Sequence, residues 1–217
     1  MGLNDINRRI AAAEQAAGRA PGSVTLIAVS KVQPPERVEA VLASGHAVFG
    51  ENYVQEAQAK WPDWRMRFPD VSVHMIGPLQ SNKAKVAVGL FDAIHTLDRM
   101  TLARKLAAQL ADQACLPQLF VQVNTGDEPQ KAGILVDEVP GFLRSCTELG
   151  LSPEGLMCIP PEGKDPTPHF RLLRRLGQDN GLSLLSMGMS ADFEIAIAEG
   201  ATHVRVGSAI FGARDYG

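Results

Sequence analysis

The sequence has little of the chemistry that marks a metal site, a disulfide-linked fold or a nucleic-acid-binding surface. Its three cysteines, Cys115, Cys146 and Cys158, show no CxxC spacing, which argues against a zinc site and a disulfide framework and favours reduced thiols. Lysine and arginine number 21 against 24 acidic residues, and the resulting net charge of −3 gives no reason to expect nucleic acid as a partner. Composition therefore excludes several classes of function without indicating one.

Long hydrophobic runs are also missing. No stretch approaches the roughly 20 apolar residues that a helix needs to cross a bilayer, and residues 1–20 lack the continuous apolar segment of a secretory signal. We therefore expect a cytoplasmic protein without a membrane partner. With 217 residues, 45% of them hydrophobic, the chain is long enough to bury a sizeable core, and no linker or low-complexity tract divides it.

What the sequence does have is a regular alternation of short apolar runs with helical patterns. The N-terminal pattern, with Leu3, Ile6 and Ile10 on one face, predicts an amphipathic helix that ends at Gly18. The apolar runs after it predict eight strands, over residues 26–30, 47–50, 73–77, 93–97, 119–124, 156–160, 184–188 and 203–207.

Three of the segments between these runs carry clear helix signals. Residues 34–45 open with two prolines and close with a glycine, and residues 98–114 carry a stripe of leucines at helical spacing. Residues 190–200 place Ser190 at a helix N-cap and Gly200 at the C-terminal end.

The alternation of strands with helices predicts the fold class. Strands that are joined through helices run parallel and are buried on both faces, which explains the unbroken apolar runs. Eight such units predict an α/β fold, a closed (β/α)8 TIM barrel that forms a single domain over residues 1–217 and carries an extra N-terminal helix. An open doubly wound sheet is the alternative that the same alternation allows.

A barrel of this type builds its functional site at the C-terminal ends of its strands, often with phosphate bound after the seventh and eighth. Polar and glycine residues are common at strand ends for purely structural reasons, but here they follow most of the predicted strands. They are Lys31, Glu51, Asn52, Asn124, Ser186, Gly207 and Ser208. Their convergence at one end of the barrel predicts a binding site.

The last predicted strand places an arginine inside the barrel. Side chains alternate along a strand, so Val204 and Val206 should face the helices while His203 and Arg205 face inward. An unpaired buried guanidinium is costly, so we expect Arg205 to meet either a carboxylate, such as Glu51, or a ligand.

Lys31 should stand at the mouth of the same interior, because it continues the inward face of the first strand. A lysine that is desolvated near an arginine is neutral more easily, and a neutral amine condenses with an aldehyde. Gly207, Ser208 and Ser186 supply the backbone and hydroxyl donors that a phosphate monoester needs. This combination is typical of pyridoxal phosphate proteins and of Schiff-base aldolases that act on sugar phosphates, and both interpretations stay open on these residues.

Five stretches that span nearly the whole chain carry a family resemblance: "LIAVSK", "FGENYVQEAQAK", "HMIGPLQSNK", "MCIPP" and "LSMGMSADFEIAIAEGATHVRVGSAIFGARDY". Together they resemble the pyridoxal phosphate homeostasis protein family, the YggS/PROSC group. The resemblance implies a fold-type III barrel similar to the N-terminal domain of alanine racemase. It also implies pyridoxal 5'-phosphate held as a Schiff base, and a role in vitamin B6 homeostasis without established catalytic turnover.

The resemblance also implies roles for individual residues. Lys31 would form the Schiff base, Asn52 would lie beside the cofactor ring, and Arg205 would approach the pyridine nitrogen. The phosphate would be held by Ser186, Gly207 and Ser208. No catalytic residue and no metal ligand is implied, and the loop over residues 125–131 departs from the usual text of the family, so its role stays open.

Catalysis is the main question that the resemblance leaves open. A guanidinium beside the pyridine nitrogen disfavours its protonation and weakens the ring as an electron sink, so we expect binding without turnover. The first alternative is an amino-acid racemase, which would need a second acid or base opposite Lys31, and the sequence offers only Tyr53 and Tyr216 for that purpose. The further alternative is a Schiff-base aldolase acting on a sugar phosphate.

Partners other than B6 vitamers are harder to predict. Residues 60–70, with two tryptophans and one phenylalanine, offer a contact patch for apo-enzymes that receive the cofactor. We favour instead that these aromatic residues cover the barrel. His74 and Lys83 are expected to lie behind the site or on the surface; a strand histidine in particular is more often a satisfied core residue than a ligand. Without the extra domain of the racemases, we expect a monomer.

Overall fold

The computed structural model of the chain describes residues 2–110 and 116–212. The strands are β1 (Thr25–Val29), β2 (Val48–Glu51), β3 (Ser72–Met75), β4 (Ala93–Leu97), β5 (Gln118–Asn124), β6 (Ile134–Leu135), β7 (Gly155–Cys158), β8 (Leu184–Met189) and β9 (His203–Val206). The helices are α1 (Leu3–Ala16), α2 (Pro35–Ala43), α3 (Val54–Arg67), α4 (Ala84–Leu90), α5 (Met100–Leu110), α6 (Val139–Glu148), α7 (Thr167–Asp179), α8 (Phe193–Ala198) and α9 (Ser208–Phe211). Short 3-10 helices, Ser81–Lys83 and Val136–Glu138, precede α4 and α6.

Eight of these strands close into a parallel barrel. They pair in the order β4-β3-β2-β1-β9-β8-β7-β5, and a further pairing between β4 and β5 joins the two ends. The predicted (β/α)8 barrel is therefore confirmed, and the open doubly wound sheet is wrong. β6 was not predicted, because a strand of two residues shows no periodicity. It pairs with the C-terminal end of β5, with Ile134 opposite Val123.

Glycine and proline set several of the helix ends, as their positions in the sequence predict. α2 begins at Pro35 and is followed by Gly45 at φ +86°, a left-handed conformation that glycine adopts without steric cost. α1 ends just before Gly18, which has φ +65°. The helix predicted over residues 98–114 is present as α5 up to Leu110, and residues 111–114 lie outside the described residues.

The helix predicted at residues 190–200 begins later than expected. α8 starts at Phe193, and Asp192, not Ser190, occupies the position before it. The carboxylate of Asp192 accepts a hydrogen bond of 2.6 Å from the backbone N–H of Met189 and so closes the turn that leads into the helix. The N-cap assignment of Ser190 was therefore wrong, and its hydroxyl instead lies at the end of the barrel, where it accepts a hydrogen bond from the N–H of Gly207.

The hydrophobic core lies mainly between the strands and the surrounding helices. Val204 and Val206 are fully buried in this outer layer, as the alternation along β9 predicts. A smaller apolar cluster fills the interior of the barrel, with Phe120 and Met157 as its largest members. Above it the interior becomes polar, and this polar part leads to the C-terminal ends of the strands.

Two cysteines belong to the buried layers of the fold. Cys146 and Cys158 are buried free thiols, and Cys115 lies outside the described residues. Burial raises the pKa of the Cys146 thiol to about 11 and that of Cys158 to about 12. Both are therefore protonated at neutral pH, which makes them poor nucleophiles.

The aromatic residues of the segment 60–70 cover the barrel. α3 extends to Arg67, so most of this segment is helical. Trp61 and Trp64 are buried, and the ring of Trp61 packs against Phe49 with 5.1 Å between centroids. The interpretation as buried cover is confirmed. In the part of the chain that the structure describes, no helix is long and apolar enough to cross a membrane.

Candidate functional site

A cavity of about 150 Å³ opens at the C-terminal ends of the barrel strands. Five of the six residues predicted for the site line it, namely Lys31, Asn52, Arg205, Gly207 and Ser208. The other lining residues are Val29, Ile76, Ile159, Met189 and Ser190. The cavity thus combines one amine, one guanidinium, one amide and two hydroxyl groups with apolar walls.

Lys31 follows the last residue of β1 and enters the cavity from a tight turn. The N–H of Gln33 donates a hydrogen bond of 3.3 Å to the carbonyl of Ser30, so Lys31 and Val32 are the two central residues of that turn. Val32 has φ +55°, a left-handed conformation that β-branched residues rarely adopt. Lys31 is therefore presented by a strained turn and not by the regular strand.

The other wall of the cavity carries groups suited to a phosphate. Ser190 and Ser208 bring hydroxyl groups, and the backbone N–H of Gly207 lies 3.4 Å from the Ser190 hydroxyl oxygen. A side chain at position 207 would have its Cβ 3.3 Å from the Cβ of Val29, so glycine keeps this wall open. Sequence reasoning missed Ser190, because its spacing before an apolar helix also fits an N-cap.

Arg205 faces the interior of the barrel and is almost completely buried. Its guanidinium donates hydrogen bonds to the backbone carbonyl of Ser186 at 2.8 Å, to the Ser186 hydroxyl at 2.7 Å and to the carbonyl of Cys158 at 2.8 Å. Of the two partners expected for Arg205, a carboxylate or a ligand, the carboxylate is not Glu51, which faces α3 and not the interior. In the described residues, no carboxylate lies within ion-pair distance of Arg205, so neutral oxygens alone hold the cation.

Ser186 lies one level below the cavity and does not line it. Its fully buried hydroxyl contacts Arg205 and the Nδ1 atom of His95, at 2.8 Å. From His95 the chain of hydrogen bonds continues to Nδ1 of His74 at 3.0 Å and from His74 to the Ser72 hydroxyl at 3.1 Å. The phosphate role predicted for Ser186 stays a prediction, while the structure places this residue as a support of Arg205.

Arginine sets the direction of this chain of hydrogen bonds. Because Arg205 only donates, the hydroxyl hydrogen of Ser186 must go to Nδ1 of His95. The hydrogen on Nε2 of His95 then goes to Nδ1 of His74, which leaves both rings neutral. Burial keeps them so: it lowers the pKa of His74 to about 4 and holds the pKa of His95 well below its usual value. The buried His203 ring beside them also has its pKa lowered to about 4 by burial.

Glu51 is the most perturbed carboxyl group near the site. It is fully buried against α3, where it accepts hydrogen bonds from the Ser30 hydroxyl at 2.7 Å and from Nε1 of Trp61 at 3.2 Å. Burial raises its pKa to about 7, and the nearby Lys60, 3.8 Å away, works in the opposite direction. Glu51 thus touches the residue before Lys31 and not the cavity.

Asn52 is kept at the cavity wall by the absence of a side chain at Gly77. A Cβ atom at position 77 would lie 2.4 Å from the carbonyl oxygen of Asn52 and 2.5 Å from its Cα. The Thr96 hydroxyl donates a hydrogen bond of 2.8 Å to the carbonyl of Gly77, which ties this loop to β4.

The substitution Gly77→Ala is therefore expected to reduce the free energy of unfolding by about 2–3 kcal/mol, because it forces two backbone segments apart. Gly89→Ala is the matched control, since a Cβ at position 89 in α4 meets nothing within 4 Å. It should leave stability unchanged or raise it by roughly 0.5–1 kcal/mol through helix propensity. Urea unfolding measures both. Equal stability of Gly77→Ala and the unaltered protein would contradict the close contact.

The remaining candidate residues lie around the site. Tyr53 precedes α3 with 55% of its surface exposed and does not line the cavity, and Tyr216 is outside the described residues. Lys83 ends the 3-10 helix before α4. Lys131, in the loop after β5, donates a hydrogen bond of 3.1 Å to the carbonyl of Pro160 and pairs with Glu128. This loop is thereby fastened to the segment that follows β7.

Comparison with known proteins places this geometry in a family. The family model "Alanine racemase, N-terminal domain" matches residues 3–215. The pyridoxal phosphate homeostasis protein of Pseudomonas aeruginosa is 44% identical over 220 residues, covering 96% of this chain and 93% of the relative. The pyridoxal phosphate homeostasis protein of Escherichia coli strain K12 is 37% identical over 224 residues, covering 99% of this chain and 96% of the relative.

Solved structures agree with these relatives. PipY of Synechococcus elongatus, solved with pyridoxal phosphate bound, matches with a TM-score of 0.81 and 38% identity and covers 95% of this chain and 100% of that one. Alanine racemase of Acinetobacter baumannii matches with a TM-score of 0.68 at 16% identity, covering 95% of this chain and 57% of that one, a likeness of fold alone. The chain therefore belongs to the alanine racemase N-terminal domain family and, within it, to the pyridoxal phosphate homeostasis proteins.

Proposed function

We propose that this protein binds pyridoxal 5'-phosphate in the cavity at the end of the barrel and serves intracellular vitamin B6 homeostasis. The single observation that carries the proposal is the arrangement of the cavity: Lys31 lines it together with Ser190, Gly207 and Ser208. When bound, pyridoxal phosphate offers an aldehyde that a lysine amine captures reversibly, with loss of water, as a Schiff base. The relatives with this name and the PipY structure support the assignment.

The residues of the cavity fit the three parts of this cofactor. Lys31 provides the amine for the aldehyde, and the two serine hydroxyls and the N–H of Gly207 provide donors for the phosphate. Arg205 brings a cation that neutral oxygens hold in place, so its charge is available to an electron-rich ring nitrogen. Asn52 and the apolar Ile76 remain for the faces and edges of the ring.

We propose binding without catalytic turnover. A guanidinium in the cavity wall disfavours a protonated ring nitrogen and so weakens the cofactor as an electron sink. A racemase also needs a second acid or base across from Lys31. In the described residues, no tyrosine lines the cavity, and its two serines are poor acids and bases at neutral pH. The protein would then hold the cofactor, as a monomer in the cytoplasm, for release to apo-enzymes.

The test is borohydride reduction of the purified protein after incubation with pyridoxal phosphate. Hydride adds to the C=N carbon and a proton to the nitrogen, so a stable secondary amine should form, and mass spectrometry should locate it in the peptide that contains Lys31. Absence of an adduct, or an adduct on other lysines only, would overturn the proposal. A sugar phosphate trapped at Lys31 without prior pyridoxal phosphate would instead establish the aldolase, and solvent hydrogen exchange at the α-carbon of alanine would establish the racemase.

A further inference from the structure

The turn that carries Lys31 needs an external support. Val32 occupies its third position with φ +55°, where glycine or asparagine is usual. The side chain of Val32 is 41% exposed, so packing in the core does not hold it. The hydrogen bond that closes the turn, from Gln33 to Ser30, is long at 3.3 Å. A strained backbone at a functional site persists only where surrounding groups determine it.

The support comes from a carboxylate on α3. The backbone N–H of Val32 donates a hydrogen bond of 2.7 Å to Oε1 of Glu56. This bond is short and its acceptor is charged, so it is stronger than a bond between neutral groups. Glu56 lies one helical turn before Lys60, and the two side chains form an ion pair. The position of Glu56 is therefore itself fixed.

A second carboxylate holds the other side of the turn. The Ser30 hydroxyl donates to Oε1 of Glu51 at 2.7 Å, and Lys60 lies 3.8 Å from the same oxygen. Ser30 and Val32 flank Lys31 in the sequence, so both neighbours of the lysine are bound to acidic residues that Lys60 joins. The Lys60 side chain is only 16% exposed, which limits screening of these contacts by solvent.

We propose that Glu56, held by Lys60, is a positioning residue that maintains the strained turn and so directs the Lys31 amine into the cavity. Glu51 acts as the second anchor through Ser30. The inference rests on the proposed function, because it assigns this network to Schiff-base formation. It also assigns a role to Glu51, Glu56 and Lys60 in the stretch "GENYVQEAQAK", of which only Asn52 lines the cavity.

The experiment compares binding of two B6 vitamers by Glu56 variants. The substitution Glu56→Ala is expected to lower the equilibrium constant for the Schiff base, read from its absorption band, by about tenfold, equivalent to ~1.4 kcal/mol. Binding of pyridoxine 5'-phosphate, which has no aldehyde, should change less than about threefold, because the phosphate groups are untouched. Glu56→Gln keeps an acceptor oxygen for the N–H of Val32. Its Schiff-base equilibrium constant should therefore lie between those of Glu56→Ala and the unaltered protein.

The double variant Glu56→Ala/Val32→Gly is the decisive comparison. Glycine adopts a left-handed φ without strain, so it should restore the Schiff-base constant to within about threefold of the unaltered protein. A merely structural loss at position 56 would not be restored in this way. Glu39→Ala is the control: this α2 carboxylate accepts hydrogen bonds from Trp64 and Arg67 of α3, the helix that carries Glu56, whereas the turn is bonded to Glu51 and Glu56.

A readout without cofactor separates this inference from the proposed function. Amide hydrogen exchange at Val32 should be at least about tenfold faster in Glu56→Ala than in the unaltered protein, since its acceptor is lost. Unaltered exchange at Val32, or a Schiff-base constant in Glu56→Ala equal to that of the unaltered protein, would overturn the inference. Failure of the unaltered protein itself to form a Schiff base would overturn the proposed function.

Discussion

The substitution Lys31→Ala is expected to abolish the borohydride-stable adduct completely, while pyridoxal phosphate still binds non-covalently. Lys31 is the only lysine that lines the cavity in the described part of the chain, so no other amine there stands in reach of a bound aldehyde. Arg205 lies on β9 and the phosphate donors follow β8 and β9, so the change at the end of β1 should leave them in place. Mass spectrometry after reduction measures the adduct, and equilibrium dialysis measures the residual binding, which should be at least about tenfold weaker.

Lys83→Ala serves as the control for this experiment. Lys83 is another half-buried lysine, but it belongs to the 3-10 helix before α4 and does not line the cavity. Its replacement should leave both the adduct and the affinity unchanged. An adduct that persists in Lys31→Ala and disappears in Lys83→Ala would contradict the assignment of the reactive amine.

Lowering the pH is expected to destabilise the protein steeply, because unfolding exposes the interior histidines, which then bind protons. The pKa values of His74 and His203 are lowered to about 4, and that of His95 lies well below its usual 6.5. Such groups contribute stability that is present above pH 6.5 and is lost as the pH falls toward the folded values. Glu51, with its pKa raised from 4.5 to about 7, works in the opposite direction over the same range.

Three histidines against one glutamate leave a net uptake of about two protons on unfolding between pH 6.5 and 4.5; burial also lowers the pKa of His46 and raises that of Asp98, and these two shifts oppose each other. The free energy of unfolding should therefore fall by roughly 2–3 kcal/mol per pH unit in this window, measured by urea titration at several pH values. His203→Phe should make the slope shallower by about 1.4 kcal/mol per pH unit.

Leu173→Ala is the control for this slope. Leu173 is fully buried on α7, in the layer between the strands and the helices and not among the interior histidines, so the substitution should lower stability at every pH without changing the slope. Stability that is constant from pH 6.5 to 4.5 would show that the three rings are not held neutral.

Much of the fold follows from local patterns in the sequence. Apolar runs such as residues 26–30 mark buried parallel strands, and glycines such as Gly45 mark helix ends, because these signals depend on a few neighbouring residues. The inward direction of Arg205 followed from alternation along a single strand. The positions of Lys31 and Asn52 at one end of the barrel followed once closure was assumed.

The partners of these residues did not follow from the sequence. Whether Arg205 meets Glu51 or neutral oxygens depends on which face of β2 carries the carboxylate, and Glu51 ends that strand facing α3. The contact between Ser186 and His95 joins residues 91 positions apart, which no local pattern encodes. Ser190 was misassigned because a serine shortly before an apolar helix can be either an N-cap or a residue of the binding site. Tertiary contacts decided each of these cases.

The way in which Arg205 is held has a consequence for the protein when it carries no cofactor. Backbone dipoles and a hydroxyl orient the guanidinium, but they do not cancel its charge, and no acidic side chain of the described residues forms an ion pair with it. When an anionic ligand leaves the cavity, the buried guanidinium therefore keeps its charge without a neutralising partner. A small anion such as inorganic phosphate would offset that cost. We therefore expect the cofactor-free protein to bind such anions in competition with pyridoxal phosphate.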